Sequence, residues 1–112
     1  MPLTYLKTAT PQPQEALNDI ADTVQLMLGR IKAGGAQVAL EYAQKTLRLT
    51  ETHKFNDFDL AYANEAMARA YAASGNKDEC RVWSKKAMDA GILIIGKDDK
   101  KYFYEDFSSD PW

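Results

Sequence analysis

Residues 64–88 read Asn-Glu-Ala-Met-Ala-Arg-Ala-Tyr-Ala-Ala-Ser-Gly-Asn-Lys-Asp-Glu-Cys-Arg-Val-Trp-Ser-Lys-Lys-Ala-Met, and this stretch decides the fold. An alanine-rich run ends at Ser74-Gly75, where glycine accepts the left-handed conformation that closes a helix. Asn76 opens the next helix as a capping box: its side chain can accept from the Glu79 amide while Glu79 reaches back. Buried positions in that second helix are expected at Cys80, Trp83/Ser84, Ala87 and Met88. The first helix of the pair starts from an N-cap at Asn56 or Asp57. Its inner stripe is Leu60, Ala63/Asn64, Met67, Ala70/Tyr71 and Ser74. Seven alanines between Ala61 and Ala73 keep several of its faces short, so neighbours can approach on more than one side.

The same punctuation extends outward. Upstream, a helix begins near Pro11 or Pro13, since proline suits a first turn. Leu17, Ile20, Val24, Leu28 and Ile31 mark its apolar face at spacings of three and four. Gly34-Gly35 stops it. A second helix follows from Ala36, with Ala39/Leu40, Ala43 and Leu47 inward, and frays near Glu51 to His53. Residues 1–12 are expected as an extended arm. Downstream, Gly91 interrupts the fourth helix, and a mid-helix glycine costs about 1 kcal/mol relative to alanine. The run Ile92 to Ile95 is expected as buried helix or irregular coil, because an exposed run of this kind invites aggregation. Lys97 to Phe107 forms a short fifth helix, with Phe103 and Phe107 packing back onto the fourth, and residues 108–112 form a tail. The expected fold is one all-α domain over residues 1–112: two stacked antiparallel helical hairpins and a short C-terminal capping helix.

A self-comparison at an offset of 41 places Gly34 on Gly75, Tyr42 on Trp83, Lys45 on Lys86 and Leu47 on Met88. Both halves are helix, glycine turn, helix. The second half resembles a tetratricopeptide repeat over residues 61–89. Met67-Ala68 stands where that family has Leu-Gly, Tyr71 where it has Tyr, Gly75-Asn76 at the turn, Cys80 at a small position and Ala87 at the next alanine. Asn64 and Ser84 stand where the family has large aromatics. The run from His53 to Tyr71 also looks like that of small uncharacterised bacterial proteins. The resemblance implies a right-handed superhelix in which the first helix of each pair lines a concave surface.

Composition narrows the function. The chain has 112 residues, 46% hydrophobic and 27% charged, with 16 acids against 14 bases. A near-neutral balance argues against nucleic-acid binding. The charge is uneven: residues 98–112 carry five acids and two lysines, so the acidity sits at an aromatic-rich end. One cysteine excludes an internal disulfide framework. No run is long and apolar enough for a membrane span. With no export signal near Met1, a cytoplasmic location is expected.

No phosphate loop, nucleophile elbow or paired zinc ligands occur. No catalytic residue, metal site or cofactor is therefore expected. Tyr62, Glu65 and Arg69, with Lys32 on the first helix, are the expected binding face, although Glu65-Arg69 also reads as a plain surface pair. His53 is the one histidine and lies at a helix end. Tyr104 and Trp112 are freer aromatics that can anchor an interface. The leading expectation is a non-enzymatic interaction module that binds a protein, a peptide or a second copy of itself. The alternative is a small enzyme or small-ligand binder using the His53 to Asp59 loop with Tyr62 and Arg69.

Overall fold

The computed structural model describes residues 13–108. They form five helices and, among the described residues, no strand: α1 (Pro13–Lys32), α2 (Ala36–Thr52), α3 (Phe58–Ser74), α4 (Lys77–Ile92) and α5 (Lys97–Ser108). The expected N-terminal arm and Trp112 lie outside the described residues, and Ser108 belongs to α5 rather than to a tail. Each helix packs on the next through α4, and α5 lies back on α3 and α4.

The turns explain the spacing of the repeat. Gly34 and Gly75 both adopt positive φ, 86° and 80°. In each case the next residue donates to a carbonyl five back: Gly35 to Arg30 and Asn76 to Tyr71. This is the Schellman closure, which glycine adopts without side-chain strain. The α2 terminus repeats it with Phe55 donating to Thr50, but there Lys54 takes the positive φ of 56°. Asn76 caps α4 as expected, accepting from the Glu79 amide at 3.1 Å.

Asp57 departs from expectation. It occupies the N-cap position of α3 but makes no side-chain cap hydrogen bond. Its φ of 61° turns the carboxylate away, and Oδ1 accepts the Ile95 amide at 2.8 Å. The residue thus ties the start of α3 to the α4–α5 linker. Asp59, in the first turn of α3, has its pKa raised, first by burial and then by the Asp57 charge.

Two apolar clusters meet at α3. Met27, Ala39, Ala43, Ala66, Met67 and Ala70 join α1, α2 and α3. Ala61, Ala87, Ile94, Phe103 and Phe107 join α3, α4 and α5. Phe103 is fully buried and meets Tyr62 edge-on at 5.0 Å.

Several expected core positions lie elsewhere. On α1 the buried row is Ala16, Thr23 and Met27, while Leu28 is exposed. The helix is rotated because Thr23 meets Thr46 of α2, Oγ1 to Oγ1 at 2.7 Å, in a buried contact. Met88 is 45% exposed, and Ser74 is exposed. Of the run Ile92 to Ile95 only Ile94 is buried, for α4 ends at Ile92 and the turn that follows aims one side chain inward.

Gly91 is not a defect in α4. A Cβ there would lie 2.6 Å from Cε2 and 2.8 Å from Cδ2 of Phe103, so its absence admits the ring. Gly91→Ala gains about 1 kcal/mol of helix propensity but overpacks a site where added methyls cost ~1–3 kcal/mol. A lower urea midpoint is expected. The paired threonines make a second test. Two hydroxyl protons serve three contacts: Thr23 to the Ile20 carbonyl, Thr46 to the Tyr42 carbonyl, and one to the other. Thr46→Val is expected to cost about 1 kcal/mol in chemical denaturation, and Thr23→Val/Thr46→Val less than the two single changes added.

Candidate functional site

The α1 rotation that buries Thr23 and Met27 leaves Val24 and Leu28 facing a gap between α1 and α3. That gap is a groove of about 210 Å³ lined by Val24, Met27, Leu28, Tyr62, Glu65, Ala66, Arg69 and Asp106. A second hollow of about 590 Å³ continues it past Ile31, Ala72, Ala73 and Gly75 to Lys77, Cys80 and Arg81. Leu28 and Arg69 line both, so the two hollows adjoin, and together they make up a trough along α1 and α3.

The trough is ordered by charge. At one end stand the carboxylates of Glu65 and Asp106; at the other, Lys77 and Arg81; Arg69 lies between them. The Glu65-Arg69 pair expected from the sequence forms, with Arg69 Nε and one terminal guanidinium nitrogen each 3.3 Å from Glu65 Oε1. It is not a surface pair, however. The Glu65 side chain is 5% exposed and that of Arg69 23%, so both are fixed in the wall of the groove. A buried carboxylate held on one oxygen by a guanidinium is stiff, and its geometry does not depend on solvent.

Tyr62 stands beside them. Phe58 at 4.7 Å and Phe103 at 5.0 Å hold its ring, and its hydroxyl is closed off from solvent. Its pKa is raised far above the ordinary 10.0, first by burial, then by the facing Asp106 carboxylate and by Glu65. Tyr62 therefore stays a neutral donor over the whole physiological range.

The other expected site residues are scattered. Lys32 ends α1, exposed, and does not line the trough. His53 caps α2 and stacks on Phe55 at 5.8 Å; it is not among the residues around Tyr62 and Arg69. Tyr104 is half-buried, edge-on to Phe103, with its hydroxyl donating to the Met88 carbonyl at 3.3 Å. It lines a different groove, about 690 Å³, between α4 and α5. Cys80 is buried with Sγ 3.8 Å from Ser84 Oγ. The sequence reading missed Asp106. Its signal was indirect: seating Phe103 and Phe107 places their neighbour toward α3.

An exposed apolar patch lies at the α4–α5 turn, where Ile92, Leu93 and Ile95 are 56%, 74% and 90% exposed. Among the described residues no cluster of three His, Cys, Asp or Glu side chains is placed to hold a metal ion, and no helix is long and apolar enough to cross a membrane.

Comparison with known proteins adds one partial likeness. No family model and no solved structure matches the chain. A stretch of 45 residues, 40% of this chain, is 44% identical to part of a sulfopropanediol 3-dehydrogenase from Ruegeria pomeroyi and covers 10% of that protein. The chain thus spans about a tenth of the curated relative it matches.

The Tyr62 environment has a measurable sign. An acid whose pKa is higher folded than unfolded keeps its proton while the unfolded chain releases it, so stability falls as pH rises above 10.0. Tyr62→Phe removes that loss. Urea midpoints followed from neutral to alkaline pH are expected to drop less steeply above pH 10.0 in the variant than in the parent.

Proposed function

We propose that the chain is a non-enzymatic interaction module, two tetratricopeptide-like hairpins stacked in a right-handed superhelix, that holds an extended segment of a partner protein in the α1–α3 trough. The observation that carries the reading is the order of charge along two adjoining, largely apolar hollows: Glu65 and Asp106 in one, Leu28 and Arg69 shared between them, Lys77 and Arg81 in the other. A fitting segment carries a basic residue at one end, aliphatic side chains in the middle and an acidic residue at the other. Buried apolar contact supplies affinity, and the charges set direction. The likeness to a dehydrogenase segment is too short to bring that enzyme's activity with it. Self-association is the second reading, favoured by the exposed Ile92, Leu93 and Ile95.

Fluorescence anisotropy with labelled peptides tests the main reading. Peptides with the basic-aliphatic-acidic order are expected to bind in a salt-dependent way, and those with the termini exchanged about tenfold more weakly, equal to 1.4 kcal/mol. Leu28→Asp is expected to abolish binding without lowering the melting temperature, because Leu28 is already exposed. Equal binding of both orders, or binding untouched by Leu28→Asp, overturns it.

A further inference from the structure

The basic half of the trough, the hollow of about 590 Å³ between α1, α3 and the start of α4, has a chemistry of its own. Its walls are aliphatic, Leu28 and Ile31 from α1 and Ala72 and Ala73 from α3, and no aromatic side chain lines it. Every charged side chain that lines it is cationic: Arg69, Lys77 and Arg81. Glu65 partly neutralises Arg69, so the positive field comes chiefly from the other two. Lys77 makes no ion pair among the described residues. Arg81 pairs with Asp78, whose side chain is 89% exposed. A pair so solvated contributes little and exchanges readily for a better partner.

We propose that this hollow binds a small aliphatic carboxylate of medium chain length, with its head against Lys77 and Arg81 and its alkyl chain on the α1 and α3 walls. The volume falls within the roughly 300–1,000 Å³ of small-molecule sites. One sign of charge beside an aliphatic wall complements a ligand with one anionic head and one apolar tail. A cationic amphiphile meets repulsion at the head, and an inorganic anion gains nothing from the walls. Without an aromatic ring to stack on, a planar ligand has no advantage over a flexible chain. Lys77 is the first residue of α4, so the head also lies at the positive end of that helix, where negative charge is favoured. Leu28, 37% exposed, becomes covered when the chain lies on it. The inference goes beyond the peptide reading. A carboxylate held here takes the place of the acidic end of a bound segment and competes with it, yet its own binding requires no such segment.

Decanoate below its micellar concentration is the probe, titrated into full-length protein with labelled Leu, Ile and Ala methyl groups and followed by NMR. The Leu28, Ile31, Ala72 and Ala73 signals are expected to shift together and to saturate. Decanol and decyltrimethylammonium are expected to bind at least tenfold more weakly than decanoate, and hexanoate severalfold more weakly. Lys77→Glu/Arg81→Glu is expected to weaken decanoate at least tenfold and leave decanol unchanged. Ala73→Phe keeps every charge but fills the hollow, and is expected to abolish decanoate binding. All three positions are exposed, so far-ultraviolet circular dichroism is expected to be unchanged in both variants. Shifts that do not saturate, equal binding of decanol and decanoate, or binding untouched by Ala73→Phe overturn the proposal. So do shifts centred on Ile92, Leu93 and Ile95, the exposed patch to which an alkyl chain adheres without a site. No peptide enters the titration, so its failure and that of the peptide reading are told apart.

Discussion

The short side chains of α3 are the constraint on which the rest depends. This helix meets all four others. A helix bearing large residues on every face would hold its neighbours off at different distances, and four partners would not fit round it. Ala61, Ala63, Ala66, Ala68 and Ala70 are all buried, and each gives up little rotamer freedom on folding. The larger groups come from outside: Met27 from α1, and Phe103 and Phe107 from α5. Where α3 carries a large or polar side chain, as at Tyr62, Glu65 and Arg69, the neighbour stands back and the trough opens.

The same exchange of size occurs at Gly91. Phe103 is fully buried because α4 lacks a side chain at the one point where the ring must pass. With Phe103 seated, α5 is held at an angle that brings Asp106 to Tyr62, so the acidic end of the trough depends on a glycine in a helix that does not line that end. The buried Glu65-Arg69 pair contributes stiffness rather than net stability, since desolvating two charges costs about what their attraction returns.

Helices and turns were largely legible in the sequence, because their signals are local. Gly34, Gly75 and the Asn76–Glu79 capping box each act within a few residues. Rotation about helix axes was less so. The row Leu17, Ile20, Val24, Leu28 and Ile31 is apolar, but the buried row of α1 runs one residue to the side. A Thr23–Thr46 hydrogen bond between residues 23 apart gives no periodic signal. Asp57 misled in the same way: its type and position mark an N-cap, whereas its partner lies 38 residues on. Tyr62, Glu65 and Arg69 were visible as a polar row on α3, but their burial and their meeting with Asp106 depend on α5. His53 drew notice as a chemically capable side chain and serves instead to finish a helix.

The order of packing bears on how the chain reaches this state. α1 pairs with α2, α2 with α3 and α3 with α4, each with its neighbour in sequence, and only the lesser α1–α3 and α3–α5 contacts reach past an intervening helix. Topologies of such low contact order fold in microseconds to milliseconds, because few long loops need closing before contacts form. The Asp57–Ile95 bond spans 38 residues, from the start of α3 to the linker before α5. It ties the linker that leads into α5 to the start of α3, so the position of α5, and with it the acidic wall of the trough, depends on how α3 and α4 pair.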